Sequence, residues 1–180
     1  IRDGVYNEQL VLNDISGSSA VNTVTFTSES GDSSKVSLNY STSNNILNYT
    51  VQLNGAQYIN FNKISIAGSN SYSLLVTAGT KHIRFNNCSF SRRSVGLNST
   101  SNFIFKDNDF SNSYIWVNSS DSMTIKNNIF NNSSISVNSS ESITIEENTI
   151  SKSGSEIISV YDADKLTVLN NIVEGYMTFE

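Results

Sequence analysis

Apolar and polar residues in this chain recur in a fixed phrase. Ser122-Met-Thr-Ile-Lys-Asn-Asn-Ile-Phe-Asn-Asn-Ser-Ser-Ile-Ser-Val-Asn-Ser-Ser-Glu141 is followed by Ser142-Ile-Thr-Ile-Glu-Glu-Asn-Thr-Ile150. Met123 and Ile125 thus fall on Ile143 and Ile145, Asn128 on Asn148, and Phe130 on Ile150. Each unit holds two short runs that alternate apolar with polar, which is strand periodicity. Repetition at about 20 residues marks a stacked solenoid.

Carried in both directions, this template predicts about eight coils. The first strand's inward pairs read Leu10/Leu12, Val36/Leu38, Ile59/Phe61, Ile83/Phe85, Phe103/Phe105, Met123/Ile125, Ile143/Ile145 and Leu166/Val168. A later strand gives Val24/Phe26, Val51/Leu53, Leu74/Val76, Val95/Leu97, Ile115/Val117, Ile135/Val137, Ile158/Val160 and Met177/Phe179. A third inward position, Ile64, Cys88, Asn108, Asn128, Asn148 and Asn171, falls at a bend. Asn stacked there can bond to the Asn above and below, and it tolerates the left-handed backbone of a sharp corner. The expected fold is all-β, a single-stranded right-handed parallel β-helix over residues 1–180. Handedness rests on the general preference for right-handed parallel connections.

Composition narrows the function classes. Ser and Asn make up about a third of the 180 residues and Pro is absent, yet the apolar residues are regularly spaced, which argues for order. A net charge of −5 with only 11 Lys+Arg disfavours nucleic acid as a partner. No apolar run is long enough to cross a bilayer, so membrane insertion is not expected. One Cys and one His leave no disulfide, no cysteine-rich metal cage and few histidine-based constellations. No cofactor or metal is expected. The first residue is Ile, and the last coil stops at Glu180, which reads as a piece of a longer protein.

The opening carries more specific phrases. Ile1-Arg-Asp-Gly-Val-Tyr-Asn-Glu8 resembles the phrase that begins the β-helix of pectin-esterase-like and pectate-lyase-like proteins. Val21 to Asp32 and Asn48 to Phe61 resemble β-helix modules of large, adhesin-like secreted and surface proteins of Bacteroidota-type bacteria. The resemblance implies a pectin-lyase-like fold, export to the cell surface or medium, and contact with polysaccharide. It identifies no catalytic residue.

In a solenoid, function falls to the outward columns. Lys35, Tyr58, Asn60, Asn62, His82, Arg84, Asn86, Lys106 and Lys126 are expected on one polar, basic face, suited to an acidic or hydroxyl-rich glycan. Tyr114 and Trp116 flank inward Ile115 and offer a second platform for a sugar ring. The bland reading of both is a solvated sheet face. Catalysis has less support. A glycosidase needs paired carboxylates, and among these columns only Glu146 is acidic. Asp121, Glu141 and Asp164 stack at one turn, as do Asp107, Asn127, Glu147 and Asn170, but the turns account for both without a cation. The expected function is therefore a non-catalytic, rigid module that binds polysaccharide or cell-surface glycan beside neighbouring modules of the same chain. The alternative is a polysaccharide lyase, or another carbohydrate-active enzyme, acting on acidic glycans.

Overall fold

The computed structural model describes residues 1–41, 49–68 and 71–180, apart from the side chains of residues 153–155. All described regular structure is β, and every pairing between strands is parallel. Each coil has three strands, which stack into three sheets around one bore. The first sheet includes Gln57–Asn62, Lys81–Asn86, Ser101–Lys106 and Asp121–Lys126. The second is built of short strands such as Ser89–Ser91, Asp109–Ser111 and Ile129–Asn131. The third includes Tyr49–Asn54, Tyr72–Thr77, Ser94–Asn98 and Ile115–Asn118.

From Ile59 onward the expected columns hold rung by rung. Ile83 pairs with Phe103, Phe103 with Met123, and Met123 with Ile143. Earlier, the columns are permuted. Leu10 and Leu12 pair with Val51 and Leu53, so they belong to the third sheet. Val24 and Phe26 pair with Ile59 and Phe61 in the first. Val36 and Leu38 belong to the second, paired with Gly4 and Tyr6, and Leu38 pairs onward with Ile66. The cause is loop length. Val24 to Ile59 is a coil of 35 residues, whereas the nearer pair Val36/Leu38 mimics the ordinary spacing. Fewer complete coils result than the about eight expected, because Gly4–Tyr6 and Leu10–Asn13 form only part of one.

The bore is filled by aromatic stacks along the axis. Phe26, Phe61, Phe85 and Phe105 stack at centroid distances of 5.3, 4.7 and 5.2 Å. Phe90, Phe110 and Phe130 stack at 4.8 and 4.5 Å in the second sheet. Edge contacts of Phe85 with Phe90 and of Phe105 with Phe110 tie the two columns together, and each such pair adds roughly 0.5–1.5 kcal/mol beyond its buried area.

The corners are polar but satisfied. Asn108, Asn128, Asn148 and Asn171 form the expected ladder, with Nδ2 of each upper Asn bonded to Oδ1 of the next at 2.9–3.0 Å. A second buried ladder, not anticipated, joins Thr100, Ser120 and Ser140 at the corner leading into the first sheet. Among the described residues, no buried side-chain nitrogen or oxygen lacks a partner. Corner residues Asn87, Asp107, Asn127, Glu147 and Asn170 all have φ of 53–57°, so the bend itself requires the left-handed region.

Candidate functional site

The outer face of the first sheet is concave. Tyr58, Asn60, His82, Arg84, Asn102, Ile104, Ser122, Thr124 and Ser142 line a groove of about 550 Å³ along the solenoid axis. Ala20 and Thr23, from the segment preceding Val24–Thr27, close its upper end. That wall lay outside the sequence expectation, since nothing in its composition shows where the loop folds back.

From Gln57–Asn62 to Asp121–Lys126, the second residue of each first-sheet strand is left-handed, as is Ser142 in the next rung. At this position the lower rungs carry Asn102, Ser122 and Ser142, with φ of 55–57°, whereas the upper two carry Tyr58 at 54° and His82 at 58°. A left-handed backbone costs an L-residue roughly 1–2 kcal/mol, least for short polar side chains that bond locally. Tyr and His are therefore poor solutions to the bend taken alone. What they gain is a ring pair at the groove: Tyr58 and His82 stack at 4.5 Å with planes 11° apart.

Two residues along each strand, Asn60 and Arg84 are paired neighbours on the same face. Asn60 Nδ2 donates to Thr25 Oγ1 in the rung above, while the Arg84 side chain is exposed. Burial, and then the positive charges of Lys81 and Arg84, lower the pKa of His82, so the imidazole is neutral at neutral pH. The groove thus combines a phenol, a neutral imidazole, an amide and a guanidinium, with hydroxyls beyond, and among the described residues no carboxylate lines it.

The other candidates fall as follows. Asn62 and Asn86 sit on the same face one column further, with Lys106 and Lys126 below them. Lys106 lies 3.7 Å from Asp107. Lys126 is engaged by Glu146 at 3.0 Å and Glu147 at 3.4 Å, which raise its pKa. Lys35 is not brought to this face: its carbonyl accepts from the Gly4 amide where a second-sheet strand begins. Tyr114 and Trp116 lie on the third sheet, 51% and 38% exposed, outside the groove. The acidic turn is internally occupied, with Lys165 bonded to Glu141 and Ser122 donating to Asp121 at 2.9 Å. Among the described residues, no group of three or more His, Cys, Asp and Glu is placed to hold a metal.

A family model described as "right handed beta helix region" matches residues 49–178. No curated protein matches the chain. Among solved structures, the crystal structure of alginate lyase from Paenibacillus sp. str. FPU-7 is similar with a TM-score of 0.45 at 9% identity, covering 99% of this chain and 89% of that one.

Proposed function

We propose a carbohydrate-binding role for this chain, which belongs to the right-handed β-helix family. The solenoid acts as a rigid module of an exported or cell-surface protein, adhesin-like, and the first-sheet groove holds an acidic or hydroxyl-rich polysaccharide laid along the axis. The observation that carries the reading is the Tyr58–His82 stack, held at left-handed positions beside exposed Arg84. Arg84 supplies a forked donor for a uronate carboxylate or sulfate. Asn60, Asn102 and the lower hydroxyls bond to sugar hydroxyls, and among the described residues no carboxylate lines the groove to repel an anionic chain locally.

Affinity electrophoresis on polygalacturonate, alginate and chondroitin sulfate tests this. Retardation by at least one polymer is expected, weakened tenfold or more in Arg84→Ala. No retardation, or retardation unchanged in Arg84→Ala and Tyr58→Ala, overturns it.

One observation favours the lyase reading: neutral His82 stacks on a phenol beside a guanidinium. A neutral imidazole can take the proton α to a uronate carboxylate. The glycosidic C–O bond then breaks, a C=C bond forms, and the leaving oxygen takes a proton from the phenol. Growth of unsaturated-uronate ultraviolet absorbance, lost in His82→Asn, would establish that reading over simple binding.

A further inference from the structure

The third sheet turns a different surface to solvent. Trp116 has Gly96 as its neighbour in the rung above and Ser136 in the rung below, and Leu75 sits above Gly96. Gly96 has no unusual backbone angle, so its lack of a side chain serves packing. A Cβ there would lie 2.8 Å from Tyr72 Cε1 and 3.1 Å from Cδ1, closer than van der Waals contact permits. The Tyr72 ring therefore rests against the bare backbone of Gly96, in the rung directly above Trp116. The strand gives up a packing side chain for this, and Gly in a strand interior is unfavourable on its own account. With half-exposed Tyr114 and Trp116, the aromatic surface crosses successive rungs.

Beside it runs a ladder of uncharged amides. Asn118 Nδ2 donates to Asn98 Oδ1 at 3.0 Å, and Asn138 Nδ2 donates to Asn118 Oδ1 at 3.1 Å. Each amide in that chain keeps a spare N–H or a spare lone pair, a donor and acceptor set suited to vicinal hydroxyls. In the rungs of the ladder itself, the Trp116 column (Gly96, Trp116, Ser136) and the amide column (Asn98, Asn118, Asn138) hold no Asp, Glu, Lys or Arg; Glu180 joins the amide column only at the last rung, below Tyr161. By contrast, Arg84, Lys106, Lys126 and Glu146 stand on the first sheet.

We propose that this face is a second carbohydrate site, taking an uncharged polysaccharide whose pyranose ring stacks on Trp116 while its hydroxyls bond to the Asn98–Asn118–Asn138 ladder. Aromatic faces meet the apolar C–H faces of sugar rings, and with no ionic group in the columns beside Trp116 little there selects a charged partner. The site is independent of the acidic-glycan groove.

Trp116 is the chain's one tryptophan, so its emission reports this face alone. The intact chain is titrated with hydroxyethylcellulose, xylan and galactomannan, and the same polymers are cast in affinity gels. Expected is a saturable emission change and gel retardation with at least one polymer. Retardation should weaken tenfold or more in Trp116→Ala. Gly96→Val displaces the Tyr72 ring but keeps the reporter, and should reduce affinity several-fold. No response to any of the three polymers overturns the proposal. So does retardation that persists in Trp116→Ala, or an emission change that tracks protein concentration without glycan, which would show a second copy covering the face.

Discussion

Asn128 Oδ1 accepts both the backbone N–H of Asn108 at 2.9 Å and its side-chain amide at 3.0 Å. Its own Nδ2 bridges the Phe105 carbonyl and Asn148 Oδ1. One buried side chain thus ties three successive coils. Asn128→Ala leaves these donors and acceptors without partners in a dry corner. Because each buried unsatisfied group costs about 1–3 kcal/mol, the loss should be about 3 kcal/mol or more. Asn128→Asp should not rescue it, since a carboxylate lacks the donor for Phe105. Denaturant unfolding checks both variants.

The phenylalanine columns predict a gradient. Phe110 lies between Phe90 and Phe130 with no exposed surface, whereas Phe179 is 48% exposed. Phe110→Ala should cost about 3–5 kcal/mol. Phe179→Ala should cost well under half of that. Equal losses at the two sites would show that the stack does not bear on stability.

These two features were also the most legible in the chain. Met123 over Ile143, and Asn128 over Asn148, repeat at the natural coil length, so spacing alone places them. Val36/Leu38 lies in the second sheet and not the first, because an apolar pair cannot say which side of the bore it lines once loop lengths vary. At the site, periodicity put Tyr58, Asn60, His82 and Arg84 on one face, but it could not show the ring stack or the wall from Ala20 and Thr23. The Tyr72–Gly96 contact escaped for another reason. The register shifts between Ser94 and Val95, which moves Tyr72 out of the column that counting gives it. A glycine amid Val95 and Leu97 was the available signal.

Cys88 caps the Asn ladder, its backbone N–H donating to Asn108 Oδ1 at 2.8 Å. Burial pushes its thiol pKa up to about 11. Only a minute thiolate fraction exists at pH 8, so native protein should resist iodoacetamide and label on unfolding. The raised pKa also sets a pH dependence. The neutral thiol's contribution to stability is full below the ordinary thiol pKa of 9.0 and is lost as pH rises toward about 11. Cys88→Ala should flatten the stability profile in that window.

His82 gives the groove its own reporter, since it is the single histidine. Its pKa lies below 6.5, with burial the first cause and Lys81 and Arg84 the next. Two consequences follow by linkage. The unfolded chain binds this proton more readily, so the contribution of His82 to stability is present above pH 6.5 and declines as pH falls toward the lowered folded-state value. An anion seated at Arg84 should do the reverse of its neighbours and stabilise the imidazolium. Chondroitin sulfate should therefore move the imidazole NMR titration to higher pH and bind more tightly as pH drops through the same range. Arg84→Ala should raise the free-protein pKa, by removing a like charge, and abolish the glycan-induced shift. A shift from neutral xylan equal to that from the sulfated chain would mean that hydroxyl contacts, and not charge, govern the groove.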